Sequence, residues 1–494
     1  MASNSFPDVW SWINNLPPIA QWKSNPISIC IYPTKPTHPS LNLSVTQNPQ
    51  LSFSIYADLH IPISLWTSKP FKIINTQNPI PEDIIINLFY NFITDVLNYA
   101  PTNITTFLKF QTFRPNNNFN HVFNLAFYTL TVLICIYEAP HDLRSVCLNA
   151  LRAHLTAPQS RDASKLLMRI LGSNIEEQWM RSLNLAITNW IVDIHPLDRS
   201  FRAPSPLFSY AVSTVGLWKV QMYCPIIAMQ IEKSSNASHD ERLMFSLRYQ
   251  QLEGVIQLGH KIKFQENWID VAVNVDNVRL DVIPLVSNTL MADRGTGAEE
   301  KHFPSRISLQ LTPILQTSVL SVSVTKSSDN PTREIGVEKT IEGAFDPASS
   351  YVGLKVSAAE TMTMTMKPWK FEQSVHGNIA TLNWFLHDSV DGREVSSSKP
   401  SKASLFQPKA WFRDRYSSAY RPFTKEGGVV FARDEYGERV WWKVDRECIG
   451  KTMEWEISGL VWLTYWPNKH RTFYSETRRL EFREILHLPL VNLD

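Results

Sequence analysis

The segment Met453-Glu454-Trp455-Glu456-Ile457-Ser458-Gly459-Leu460-Val461-Trp462-Leu463-Thr464-Tyr465-Trp466 decides how this chain is read. Its odd positions, Met453, Trp455, Ile457, Val461, Leu463 and Tyr465, make one apolar face broken only at Gly459. A period of two is that of a β-strand with one side in a core. The even positions begin polar with Glu454, Glu456 and Ser458, then change to Leu460, Trp462, Thr464 and Trp466. The far end is thus apolar on both sides and needs either a covering element or a contact partner.

Outward from this strand the pattern repeats. Half of the sixteen tryptophans lie from position 369 onward, at Trp369, Trp384, Trp411, Trp441, Trp442, Trp455, Trp462 and Trp466. Short alternating runs at Ile307-Leu309-Leu311, Val322-Val324, Leu354-Val356 and Met362-Met364-Met366, with turns such as Asp391-Gly392, predict an antiparallel sandwich over 305–494. Strict Thr/Met alternation over Thr361–Met366, with Ser321-Val322-Ser323-Val324, is similar to the insertion hairpins of aerolysin-type pore formers, but both faces suit any sandwich edge, and that is the reading taken. Upstream, 205–290 reads as a first antiparallel meander. In it Leu243-Phe245-Leu247-Tyr249 and Ile269-Val271-Val273-Val275 alternate as strands, and the phase flips near Asp276-Asn277, which predicts a bulge or tight turn. The polar stretch Asn288–Ser305 separates the two regions as a boundary or functional loop.

Residues 1–78 form a β-rich segment with alternation at Ile27–Ile31, Leu41–Val45 and Leu51–Ile55, preceded by a short helix at Asp8–Ile13. Over 79–198 the period becomes helical. Pro81 stands ahead of Glu82 and Asp83, Gly172 supplies a left-handed helix end, and Ser173 with Glu176 reads as a capping box. The apolar run Val122–Tyr137 is shorter than the ~20 residues of a spanning helix and reads as a buried core helix. The fold class is therefore α+β: N-terminal strands, a central helical bundle, then a mostly antiparallel β-sandwich region.

A composition of 44% hydrophobic and 19% charged residues is globular, and a net charge of +2 gives no bulk attraction to nucleic acid or membrane. The cysteines, Cys30, Cys135, Cys147, Cys224 and Cys448, are odd in number and widely spaced, as free thiols in a reducing compartment would be. With no secretory leader in the first residues, the expected location is cytoplasmic, or peripheral at a membrane.

Catalytic motifs are missing. Gly295-Thr296-Gly297 lacks the third glycine and the strand-to-helix setting of a dinucleotide fingerprint. There is no Gly-x-Ser-x-Gly elbow, P-loop, His-Glu-x-x-His or phosphatase phosphate loop. No cofactor, metal or catalytic residue is assigned. What remains is arginine and lysine among tryptophans. Trp462, Trp466, Lys469, Arg471, Arg478 and Arg479 are the candidate interaction surface, facing a protein partner or, as the alternative, an anionic membrane. Acidic residues interrupt every basic run, which argues against nucleic acid. Two further readings stand: a hydrolase assembled in three dimensions around His387, Asp388 or His302, and phosphoinositide recognition through Arg413, Arg415, Arg478 and Arg479.

The segments Phe6–Trp12, Ser64-Leu65-Trp66-Thr67-Ser68-Lys69-Pro70-Phe71, Pro304–Leu311, Trp384–Glu394 and Tyr416–Phe423 resemble a land-plant protein family over nearly the whole chain. That family carries no established activity, so the resemblance transfers no catalytic residue. Labels its members have carried, inositol-trisphosphate 5-phosphatase and MYND zinc finger, lack their motifs here. There is no Trp-x-Gly-Asp-x-Asn or Pro-x-Trp-Cys-Asp-Arg block and no cluster of Cys and His ligands. The expectation is a non-enzymatic interaction or scaffold protein.

Overall fold

A computed structural model describes residues 7–22, 26–32, 40–47, 49–73, 79–101, 118–140, 143–144, 158–194, 209–235, 240–297, 300–325, 327, 369–386, 429–431, 439–465 and 474–491. The chain opens with α1 (Val9–Asn14), then β1 (Ile27–Tyr32), β2 (Ser40–Gln47), β3 (Leu51–Asp58) and β4 (Ile63–Thr67), which form a meander in that order. Helices α2 (Glu82–Asn98), α3 (Phe119–Tyr137), α4 (Pro158–Leu171) and α5 (Ser173–Ile194) follow. Asp8 caps α1 by accepting from Ser11 N–H, and Trp10 meets Phe119 and Phe123 edge-on at 5.1 and 5.3 Å. The short helix therefore anchors the N-terminus on α3.

By length and composition α3 is apolar enough to cross a membrane, yet 83% of that stretch is buried inside the fold. Its Phe123 and Phe127 pack on Phe92 of α2, and the first sheet is tied to α2 by the Trp66 indole N–H donating to Asp95 at 2.9 Å. Gly172 separates α4 from α5 at φ +76°, a left-handed turn that glycine adopts without strain. The capping box expected at Ser173 and Glu176 is replaced by a longer contact. The carboxylate of Glu176 accepts from the Tyr210 hydroxyl across the junction with the next region.

The remaining elements are β5 (Ser209–Thr214), β6 (Leu217–Pro225), β7 (Gln230–Ser235), α6 (Glu241–Arg248), β8 (Gln250–Phe264), β9 (Trp268–Pro284), α7 (Asn288–Arg294), β10 (Phe303–Pro313), β11 (Val319–Val324), β12 (Trp369–His376), β13 (Ile379–Leu386), β14 (Val429–Phe431), β15 (Arg439–Asp445), β16 (Thr452–Tyr465) and β17 (Ser475–Pro489). They make two antiparallel sheets, β12-β13-β10-β16-β17-β7 and β11-β15-β9-β8-β6-β5, with β14 also on β9. The α+β class with sandwich-like sheets is thus what the chain adopts. Strands of 205–290 and 305–494 are shared between both sheets: β7 joins β17, while β11, β14 and β15 join the meander. The boundary at Asn288–Ser305 does not separate two sheets.

Trp455 on β16 sits between the sheets, 5.7 Å from Trp218 on β6 and 6.0 Å from Trp442 on β15. The Trp218 indole N–H crosses to the carbonyl of His487 at 3.1 Å. Gly459, the gap in the apolar face of β16, lies opposite Phe482, and a Cβ there would stand 2.2 Å from the Phe482 ring. The missing side chain is room for a ring from the next strand. The phase flip also has its cause. Gln257 pairs with Asn277 and Leu258 with Val275, so Asp276 is the extra residue of a bulge within a continuous β9.

One segment departs from the sequence reading: Leu243–Tyr249 is not a strand. Asp240 accepts from the N–H groups of Arg242 and Leu243 and starts α6, which buries Leu243 and Leu247 one turn apart against Tyr465 and Tyr474. The four-residue spacing of the two leucines fits both periods, and the cap decides between them. Asp240→Ala should cost about 1 kcal/mol, read as a lower urea midpoint with an unchanged slope. No change would show that burial alone fixes the helix. The stretch after it is likewise structured: α7 begins at Asn288, and the Arg242 guanidinium donates to the carbonyls of Ala292, Asp293 and Gly295.

Candidate interaction surface

Pairing across the six-stranded sheet aligns one row of residues on its outer side: Lys370, Phe385, Arg306, Trp462, Arg479 and Gln230. Because neighbours in a row point to the same side, cations and rings alternate from Lys370 to Arg479, and Gln230 closes the row. The Arg306 guanidinium lies over two rings, 4.8 Å from the Phe385 centroid and 4.5 Å from that of Trp462. Such stacking suits a planar, weakly hydrated guanidinium and contributes about 0.5–2 kcal/mol. Glu232 on β7 ties the far end together. It accepts from the Trp462 indole N–H at 2.6 Å and from Arg479 at 2.8 Å. At the near end Lys370 is 2.5 Å from Glu372.

This placement corrects the even-face reading of Trp462. The ring is 7% exposed, covered by the arginine stacked on it and held by Glu232, so it presents no open aromatic surface. Arg478 is not a surface residue either. It points inward, pairs with Glu476 and donates to the carbonyls of Ile226 and Ile227 at 3.0 and 3.2 Å. Arg479 is half-buried in the row, whereas Trp466, Lys469, Arg471, Arg413, Arg415, His387 and Asp388 lie outside the described residues. Arg306, Phe385 and Lys370 join the row, and Glu232 bonds to its end, without having been singled out by the sequence, because only strand register brings them together.

Directly beneath the end of the row, on the inner side, is a closed ionic node. His302 is fully buried; its Nδ1 meets Gln250 Oε1 at 2.9 Å and its Nε2 meets Glu476 Oε1 at 2.8 Å. The amide orientation of Gln250 is fixed by its surroundings, since its Nε2 donates to the Glu300 carbonyl and its Oε1 also accepts from the His302 backbone N–H. Glu476 accepts four bonds, from His302, from two nitrogens of Arg478 and from the Tyr474 hydroxyl at 2.6 Å, which fills its lone pairs. Burial would raise the Glu476 carboxyl, but the Arg478 guanidinium and then the His302 bond outweigh it and hold the group well below the usual carboxylate range. Burial draws His302 toward its neutral form, while the bond and charge of Glu476 act the other way. Burial, helped by Glu476, pushes the Tyr474 phenol up.

His302 thus has polar partners but no open side for a substrate, and its two ring nitrogens are both taken. The node ties the loop before β10, the start of β17 and the turn at Ile226 into one end of the sandwich. Among the described residues no group of three His, Cys, Asp or Glu side chains is arranged to hold a metal.

No family model and no curated protein matches the sequence. Solved structures with some likeness include the Clostridium perfringens delta-toxin, at 9% identity and TM-score 0.23, over 57% of this chain and 96% of that one. Others are the Clostridium perfringens NetB toxin in its membrane-inserted form, at 8% identity and TM-score 0.21 over 57% and 98% of the two chains, and a structure titled pore forming protein, at 9% and 0.23 over 57% and 99%. At these TM-scores the likeness carries no argument about fold or function.

Proposed function

We propose that the protein is a non-enzymatic interaction module of the cytoplasm that presents the outer side of its six-stranded sheet to a protein partner. The observation that carries this reading is the cation-aromatic row. Arginine and aromatic side chains held rigid by one another lose little freedom on contact, and such groups dominate protein interfaces. The enclosure of His302 removes that one residue from the hydrolase reading. An anionic membrane is the weaker reading, because Lys370 and Arg479 are already neutralised by Glu372 and Glu232.

The exposed outer-side residues Gln310 and Ser374 offer a test, since changing them leaves the core intact. Gln310→Glu with Ser374→Glu should leave the melting temperature within about 2 °C of wild type, as surface substitutions do. The same change should deplete proteins cross-linked to the full chain in cells. An unchanged cross-linked set counts against the sheet as the contact surface. Retained proteins with lost vesicle binding would favour the membrane.

A further inference from the structure

We infer that Arg306 is an anion-binding residue that takes a single carboxylate from an acidic segment of a partner protein. This inference rests on the reading of the six-stranded sheet as the contact surface. In the row each other cation already has its carboxylate: Lys370 has Glu372 at 2.5 Å and Arg479 has Glu232 at 2.8 Å. Arg306 has two ring faces and no acidic partner among the described residues. Its Nε is buried with no hydrogen-bond acceptor. A guanidinium carries five N–H donors in one plane, and stacking satisfies its faces but none of these edges. Among the described residues no acceptor meets the terminal nitrogens of the half-buried side chain, so a planar oxyanion can meet them end-on in a fork geometry.

Charge selects the class of anion. One cation without a carboxylate among the described residues matches one carboxylate. A phosphate brings about −1.5 to −2 charges onto a sheet side that also carries Glu372, Glu232 and the exposed Glu481. An anionic bilayer is recognised by clusters of about four to eight basic residues, which this row does not supply. The half-buried Phe385 ring beside Arg306 gives an apolar neighbour of the carboxylate a surface to rest on, so the expected segment is an acidic residue next to an apolar one.

The full chain can be tested with N-trifluoroacetyl-Gly-Leu-Glu-Leu-Gly-amide, whose only charge is the glutamate, by fluorine NMR relaxation. Two twins replace that glutamate with glutamine or phosphoserine, and phosphatidylcholine vesicles with one-fifth phosphatidylserine form a further arm. The glutamate peptide should bind wild type and weaken at least about tenfold with Arg306→Gln or in the glutamine twin, as loss of a charge-assisted bond implies. Arg306→Lys keeps the charge and the stem but not the fork, so it should weaken binding while retaining the wild-type melt; it decides the matter if Arg306→Gln does not fold. Equal binding of the glutamate and glutamine peptides, equal binding by wild type and Arg306→Lys, or tighter binding of the phosphoserine peptide or the vesicles overturns the assignment. If the Gln310/Ser374 variant loses its cellular partners but Arg306→Gln keeps them, the contact surface stands and the anion site falls. If Arg306→Gln loses the peptide while the double variant keeps every partner, the anion site stands and the surface reading falls.

Discussion

Glu476→Gln should destabilise the folded chain by about 3–5 kcal/mol, the range for removing one member of a buried ion pair. The carboxylate is 2% exposed and accepts from His302, Arg478 and Tyr474 at once. A glutamine has the same shape but one acceptor oxygen, so its amide N–H groups would face donors. Arg478 would remain buried with its charge uncompensated, held only by the carbonyls of Ile226 and Ile227. The same site sets part of the acid stability. The carboxyl is held below its ordinary value of 4.5 in the folded chain, so the unfolded chain takes up the proton first as pH falls. The contribution is therefore complete above about pH 5 and is lost as pH falls through the ordinary carboxylate range toward the lower folded value. Urea unfolding at pH 7 and pH 4 should show the variant far weaker at pH 7 and the gap narrowing at pH 4. An equal gap at both values would mean that the fold does not hold the Glu476 carboxyl below its ordinary value.

The node and the row differ in how far the sequence discloses them. Strands with one wet and one dry side, such as Leu51–Ile55 and Met453–Tyr465, declare themselves because burial repeats every second residue. The bulge at Asp276 is legible for the same reason, as a break in that repeat. Leu243–Arg248 misleads because its leucines are four apart, a spacing that is even in a strand and one turn in a helix; the Asp240 cap was the available signal. The row was invisible because Lys370, Phe385, Arg306 and Trp462 come from four strands, and only register aligns them. Local pattern left Trp462 undecided. Apolar character on both sides of a strand end signalled cover or contact, and the cover is a charged side chain, Arg306, lying on the ring. His302 and Glu476 are 174 residues apart, so no spacing motif could join them.

Trp455→Ala should be the most damaging of the tryptophan substitutions, at about 3–5 kcal/mol for a large ring removed from a core. Trp455 is fully buried where the two sheets meet, with Trp218 and Trp442 on the opposite sheet and Pro313 and Leu486 as strand neighbours. None of these can move in to fill the space without breaking its own ladder, so the cavity stays open. Trp462→Ala opens no gap between the sheets. It removes a cation-π contact and one hydrogen bond, about 0.5–2 and 0.5–1.5 kcal/mol, and should cost clearly less. Trp455→Phe should fall well below Trp455→Ala, because the indole N–H of Trp455 is buried without an acceptor and its loss relieves an unsatisfied donor. Urea unfolding of the three variants, followed by circular dichroism so that the lost fluorophore does not matter, orders them directly. If Trp462→Ala proves as costly as Trp455→Ala, the stability of the sandwich resides in its outer row rather than between its sheets. Arg306 would then be held for the fold, with its stacking on Trp462 explained without a ligand.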